Sequence, residues 1–166
     1  IARSGSATRC KDLPADTGLM TPYLSPPRPT MTTPTKPLAG IKVVELGTLI
    51  AGPFAARILA EFGAEVIKIE SPDGGDPLRK WRKLYEGTSL WWYLQARNKK
   101  SVTVNLQHPD GVEVVRRLVA EADIVVENFR PGVLDKLGLG WEALSKINPG
   151  LVMVRLSGFG QSGPMA

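Results

Sequence analysis

An α/β fold, a parallel sheet with helices on both faces, is what this 166-residue sequence predicts. Three observations carry that expectation. Short apolar runs alternate with amphipathic stretches from Ile41 to Leu156, which is the order of a βαβ series. The runs are rich in Val and Ile, as strands buried inside a parallel sheet require. Loops rich in Gly and Pro recur after the strands, and open α/β sheets bind ligands beyond the carboxyl ends of their strands.

The elements follow in order. Half of the fourteen prolines fall in the first 40 residues, mixed with Ser, Thr and Gly, without helical or strand period. Residues 1–36 therefore read as a disordered or extraneous segment, and 37–166 as the amino-terminal part of an α/β domain. Met31 resembles a natural start just ahead of the first strand, which makes residues 1–30 upstream sequence, an expression remnant or a leader. Asp12 and Asp16 argue against a mitochondrial presequence. A cytoplasmic location is expected, with the mitochondrion as the alternative if the segment is a leader.

"IKVVEL" is the first strand, and "FAARILAEFG" is a helix whose Phe54, Ile58, Leu59 and Phe62 share one face, with Gly63 at its carboxyl end. "AEVIKIE" is the second strand, followed by a long polar connection over residues 71–88. "SLWWYLQA" is a short helix, with Trp91 and Trp92 as core or interface fillers. "SVTVNL" is the third strand. His108-Pro109-Asp110-Gly111 opens a helix through Ala122 with Val112, Val115, Val119 and Ala122 as its buried stripe. "DIVVE" is the fourth strand, "WEALSKI" a helix ended by Asn148-Pro149-Gly150, and "LVMVRLSG" the fifth strand. The chain then runs into "SGFGQSGPMA", which reads as an interrupted domain rather than a natural end.

Composition narrows the function classes. The formal charge of +5 has no accompanying Lys/Arg stripe, so nucleic acid is not the expected partner. No apolar run reaches the roughly 20 residues of a membrane helix, so no membrane span is expected either. One cysteine, Cys10, excludes an internal disulfide and a Cys-based metal cage. His108 is the one histidine, placed as a turn or capping residue, and no metal site is expected. Ser157 and Ser162 lack a histidine nearby, and Lys99-Lys100 reads as a solvated charge pair. Glu70 ends the second strand where a nicotinamide-binding unit keeps its ribose-binding acid. "GTLIAGP" is nevertheless not G-x-G-x-x-G, because Ile50 and Pro53 stand where glycine is needed.

Taken in order, "PLAGIKVVELGTLIAGPFAARILAEFGAEVIKIE", "GDPLR", "RNKKSVTVNL", a Pro-Asp-Gly helix start, "DIVVENFRPGVLDKLGLGW", "INPGLV" and "LSGFGQSGP" resemble the class III coenzyme A transferases. That superfamily includes formyl-CoA transferase, carnitine-CoA transferase and methylacyl-CoA racemase. The resemblance covers essentially all of residues 37–164. It implies a longer protein built as an interlocked homodimer, whose Rossmann-like large domain binds CoA at the carboxyl edge of this sheet.

By position, the resemblance places Leu49 and Ile50 near the thiol end of CoA and Ser71 near the nucleotide phosphate. Val104 and Gln107 would border the adenine, Asn128 and Phe129 would line the pantetheine and nucleotide, and Lys136 with Leu137 would close the nucleotide end. Ile50 stands where formyl-CoA transferases carry a glutamine, which turns the expectation away from formyl or oxalyl substrates. Ser71 and Gln107 replace basic side chains, leaving Arg79, Arg130 and Lys136 as the phosphate cations. The reaction implied is transfer of CoA from an acyl-CoA to a carboxylic acid through an aspartyl-CoA intermediate, with no prosthetic group. The catalytic aspartate is expected beyond Ala166, so no residue of this chain is assigned as the nucleophile. The alternatives are an α-methylacyl-CoA racemase of the same superfamily and a non-catalytic CoA-binding module.

Overall fold

The computed structural model describes residues 36–165, so the expectations for residues 1–35 lie outside the described residues. Strand β1 (Lys42–Glu45) leads into helix α1 (Ala51–Glu61) and strand β2 (Glu65–Glu70). The connection that follows holds a single 3-10 turn at Pro77–Lys80 and a small hairpin of β3 (Leu84–Tyr85) and β4 (Thr88–Ser89). Helix α2 (Leu90–Gln95), strand β5 (Lys99–Thr103), helix α3 (Pro109–Ala120) and strand β6 (Ile124–Glu127) come next. Helices α4 (Val133–Lys136) and α5 (Trp141–Ile147) and strand β7 (Val152–Arg155) complete the described chain.

Five of the strands form one parallel sheet in the order β5-β2-β1-β6-β7. From β1 the chain builds outward through β2 and β5, then returns to the opposite side of β1 for β6 and β7. The direction reverses between β1 and β6, and that crevice is where such sheets hold ligands.

Side chains alternate across the sheet. Val44, Ile69 and Val125 pack under Val115 and Val119 of α3, Leu134 of α4 and Leu144 of α5. Val43, Val66 and Val126 pack on the other face against Ala56 and Ala60 of α1. Helices thus cover both faces, as the sequence predicts. The α3 stripe is also as expected, with Val115, Val119 and Ala122 buried and Val112 packed beside them.

Two element-level expectations need correction. The stripe of α1 that faces the sheet is Gly52, Pro53, Ala56 and Ala60, whereas Phe54 and Phe62 are 45% and 53% exposed. Small residues let the helix lie close on a sheet already thick with Val. The larger residues are left outside, apart from Leu59, which packs at the edge of that core. The third strand of the sheet runs over Lys99–Thr103, not 101–106, because Lys99 already pairs in register with Val66. Asn105 ends it by accepting a bond from the Gln107 N–H at 2.9 Å, a local turn that competes with further pairing.

Candidate functional site

A cleft of about 630 Å³ opens at the carboxyl edge of β5, β2, β1 and β6. That size is ordinary for a small-molecule site. Leu46, Ile69, Leu106, Phe129 and Val133 give it apolar walls, while Thr48, Ser71, Asp73, Asn105, Gln107 and Lys136 give it polar groups, with the paired carboxylates of Glu70 and Asp76 at its edge. Among the described residues, Lys136 is the one basic side chain that lines it. The cleft therefore suits an amphiphilic ligand with a flat or extended apolar part and an anion directed at α4.

The loop from β1 to α1 forms one wall, and side chains from elsewhere hold its backbone. The Asn128 amide accepts from Thr48 N–H at 2.7 Å and donates to Thr48 C=O at 2.9 Å, joining the β6 and β1 loops across the switch point. Gly47 and Gly52 make this closeness possible, since a Cβ on either lies 2.7 Å from the other's Cα and 3.1 Å from Asn128 Oδ1. Leu49 has a φ of 60°, a left-handed backbone uncommon for a leucine, and its N–H donates to Asp76 Oδ1 at 3.0 Å. Ile50 is the capping residue just before α1, its carbonyl accepting from Phe54 N–H at 2.8 Å.

Beneath this loop lies a buried quartet of charges that sequence reasoning did not find. Lys68 Nζ is 2.9 Å from Glu45 Oε1 and 2.8 Å from Asp76 Oδ2, and it donates to the Gly47 carbonyl at 2.7 Å. Lys99 Nζ is 2.7 Å from Glu45 Oε2 and donates to the Pro53 carbonyl at 2.7 Å. All four side chains are at most 2% exposed. Burial pushes the Lys99 ammonium below the usual lysine range, and Glu45 opposes that shift. The expected solvated pair is corrected accordingly. Lys100 is solvated and bonded to Glu65, but Lys99 points to the α1 face, where it neutralises a buried glutamate. The available signal was parity, since Glu45 follows Val43 by two and Lys68 follows Val66 by two, placing charges on an apolar face.

Glu70 is committed inside the protein as well. Its carboxylate takes two bonds from the Arg79 guanidinium at 2.7 and 2.8 Å, one from Asp76 N–H at 2.9 Å and one from Ser101 Oγ. Burial pushes the carboxyl up, but the hydrogen bonds of Arg79, Ser101 and Asp76 and the charge of Arg79 outweigh it and bring the pKa to about 2. Arg79 also stacks on Trp92, its guanidinium carbon 3.8 Å from the ring centre. Arg79 is thus occupied by protein groups, which leaves it poorly disposed toward a ligand phosphate. His108 caps α3, its Nδ1 accepting from Asp110 N–H at 3.2 Å, and Ser157 Oγ donates to the Gly160 carbonyl at 2.6 Å. Both are turn residues.

Of the ten residues singled out from the sequence, Ser71, Gln107, Phe129, Lys136 and Leu137 line the cleft together. Leu49, Ile50 and Asn128 belong to the loop and clamp at its wall. Val104 is buried in the core, donating to the Glu70 carbonyl at 2.8 Å, and Arg130 is exposed outside the lining. Thr48, Asp73, Asp76 and Asn105 also line the cleft, though none of them was singled out from the sequence. Among the described residues no three His, Cys, Asp or Glu side chains converge as a metal site requires, and no helix is long and apolar enough to cross a membrane.

The sequence is 57% identical over 132 residues to succinyl-CoA–D-citramalate CoA-transferase of Chloroflexus aurantiacus, covering 79% of this chain and 33% of that protein. It is 44% identical over 132 residues to human succinyl-CoA:glutarate CoA-transferase, covering 79% of this chain and 30% of the relative. A CAIB/BAIF family protein from Brucella suis, solved by crystallography, superimposes with a TM-score of 0.74 at 46% identity, over 79% of this chain and 36% of that one. The chain spans about a third of the length of the curated relatives it matches. The sequence model for CoA-transferase family III matches residues 38–166, and on that match this chain belongs to CoA-transferase family III.

Proposed function

We propose that the cleft binds the CoA portion of an acyl-CoA and that the full-length protein moves CoA from that donor to a carboxylic acid. The observation that carries this reading is the apolar, Lys136-ended cleft at the β1/β6 switch point of a family III chain. Phe129 offers a face for the adenine or the pantetheine arm, worth on the order of 1 kcal/mol or more when covered. Lys136 offers a cation to a phosphate, and Ser71 and Gln107 offer hydrogen bonds. The Asn128 amide supports the site chiefly by holding Thr48, since both its oxygen and its nitrogen are engaged there.

Relatives named for succinyl-CoA with citramalate or glutarate favour succinyl-CoA as donor and a dicarboxylic acid as acceptor. Their names also favour transfer over racemisation. The chemistry is nucleophilic: an aspartate from outside residues 1–166 attacks the thioester and releases CoA thiolate, leaving a mixed anhydride. The thiolate returns to the aspartyl carbonyl, freeing the donor acid and leaving aspartyl-CoA for the acceptor. Phe54, Phe62 and Trp91 are exposed apolar residues that a second copy in a homodimer would cover.

The test uses the full-length protein with succinyl-CoA and a panel of mono- and dicarboxylic acids, following new thioesters by chromatography. Transfer to dicarboxylic acids, with CoA affinity weakened about tenfold in Lys136→Ala, is the expected result for loss of one charge-assisted contact. Absence of any thioester exchange, with CoA bound no better than adenosine, would overturn the reading.

A further inference from the structure

The quartet of Glu45, Lys68, Asp76 and Lys99 has no role in the chemistry above, yet its side chains are buried under the β1–α1 loop, with Asp76 also at the edge of the cleft. Its bonds converge on one segment. Lys68 holds the Gly47 carbonyl, Asp76 the Leu49 N–H, and Lys99 the Pro53 carbonyl, while Asn128 holds both backbone groups of Thr48. Three consecutive residues, Gly47 to Leu49, and then Pro53 are thus fixed by side chains from β2, β5, the loop after β6 and the connection after β2. Neighbouring strands supply such bonds to a regular element; here side chains do so. Within that segment Leu49 is in the left-handed region, which a leucine leaves when nothing holds it.

Purely stabilising charges need not be arranged this way. A buried ion group is a poor source of stability compared with apolar side chains of similar size, so its retention calls for another role. We propose that the quartet is a positioning device: through Asp76 it locks Leu49 in the left-handed conformation and so presets the β1–α1 loop in its ligand-receiving shape. Asp76 is the effector residue of the device. Its Oδ1 accepts from Leu49 N–H at 3.0 Å and Leu78 N–H at 2.8 Å, while its Oδ2 rests against Lys68 at 2.8 Å. Glu45, Lys68 and Lys99 keep that carboxylate in place and neutralised. Free protein then meets its ligand with the loop already formed, and ordering it does not subtract from affinity.

The inference rests on the reading of the cleft as a CoA site, and the experiment separates the two. CoA dissociation constants are measured by calorimetry on the full-length protein, at a temperature where every variant is folded by circular dichroism. Asp76→Ala is expected to weaken CoA about tenfold. Asp76→Asn retains the acceptor for Leu49 but sets an amide N–H against the Lys68 ammonium, and is expected to fall between wild type and Asp76→Ala. Leu49→Asn, a residue that tolerates the left-handed region, is expected to remove most of the Asp76→Ala effect, because the two positions act on one conformation. Amide hydrogen exchange gives a ligand-free readout, with residues 47–50 exchanging at least tenfold faster in Asp76→Ala than in wild type. If Asp76→Ala lowers the melting temperature but leaves CoA affinity and loop exchange unchanged, the quartet is merely structural and the proposal falls. A loss of affinity that Leu49→Asn does not relieve also overturns it, since Asp76 then acts by another route. If wild type itself does not bind CoA, the CoA reading fails, and the exchange of residues 47–50 alone decides whether Asp76 positions the loop.

Discussion

Glu70 shows how an individual residue's partners decide its meaning. From its position at the end of β2 it matches a ribose-binding acid, but four hydrogen bonds from Arg79, Ser101 and Asp76 occupy the carboxylate. Its folded pKa of about 2 lies below the ordinary 4.5, so it stabilises the fold fully above about pH 4.5 and loses that contribution as pH falls through about 2. Arg79→Met is therefore expected to lower the melting temperature at pH 7, with the difference from wild type shrinking steadily between pH 4.5 and 2. A difference that persists undiminished in acid would show that the Glu70–Arg79 pair is not its source. Lys99 carries the same lesson. Beside Lys100 in sequence it looks solvated, and only the register of β5 against β2 shows that it points inward.

At the scale of elements, α1 is placed by what it lacks. Its sheet-facing stripe is made of Gly, Pro and Ala, so the helix start tucks against the end of β1 with Gly47 and Gly52 nearly touching. Gly47→Ala would put a methyl 2.7 Å from the Gly52 Cα, forcing backbone apart at the clamp. We expect a loss of about 1–3 kcal/mol, as for other overpacked sites. Gly158→Ala, where an added Cβ meets nothing within 4 Å, serves as the control and should be nearly neutral. Chemical denaturation of the two full-length variants checks the pair, and equal stability would mean the approach of α1 to β1 is not tight. The helix's outward stripe of Phe54 and Phe62 also explains a misreading. A helical period in large apolar residues marks a buried face only when the partner surface is known.

At the scale of the molecule, the order β5-β2-β1-β6-β7 places β2, β1 and β6 inside, each with a parallel neighbour on both sides. Their amides are expected to be the slowest to exchange in native-state hydrogen exchange on the full-length protein, ahead of those of α2 and the β3–β4 hairpin, whose residues are largely exposed. Comparable protection of the hairpin would show that other parts of the protein cover it. By itself the sequence determined the alternation of strands and helices and the parallel sheet, whose carboxyl edge holds the cleft. Those follow from local propensity and periodicity, which each segment carries alone. It also pointed to Ser71, Gln107, Phe129, Lys136 and Leu137, through resemblance in the loops that the strand ends bring together. Only the tertiary structure decided that the Asn128 amide serves Thr48, that Glu70 is neutralised by Arg79, and that Glu45, Lys68, Asp76 and Lys99 meet under the β1–α1 loop. Those partners lie 8 to 80 residues apart in the chain, and whether a charge is solvated or neutralised depends on register and burial, which no local stretch of sequence encodes.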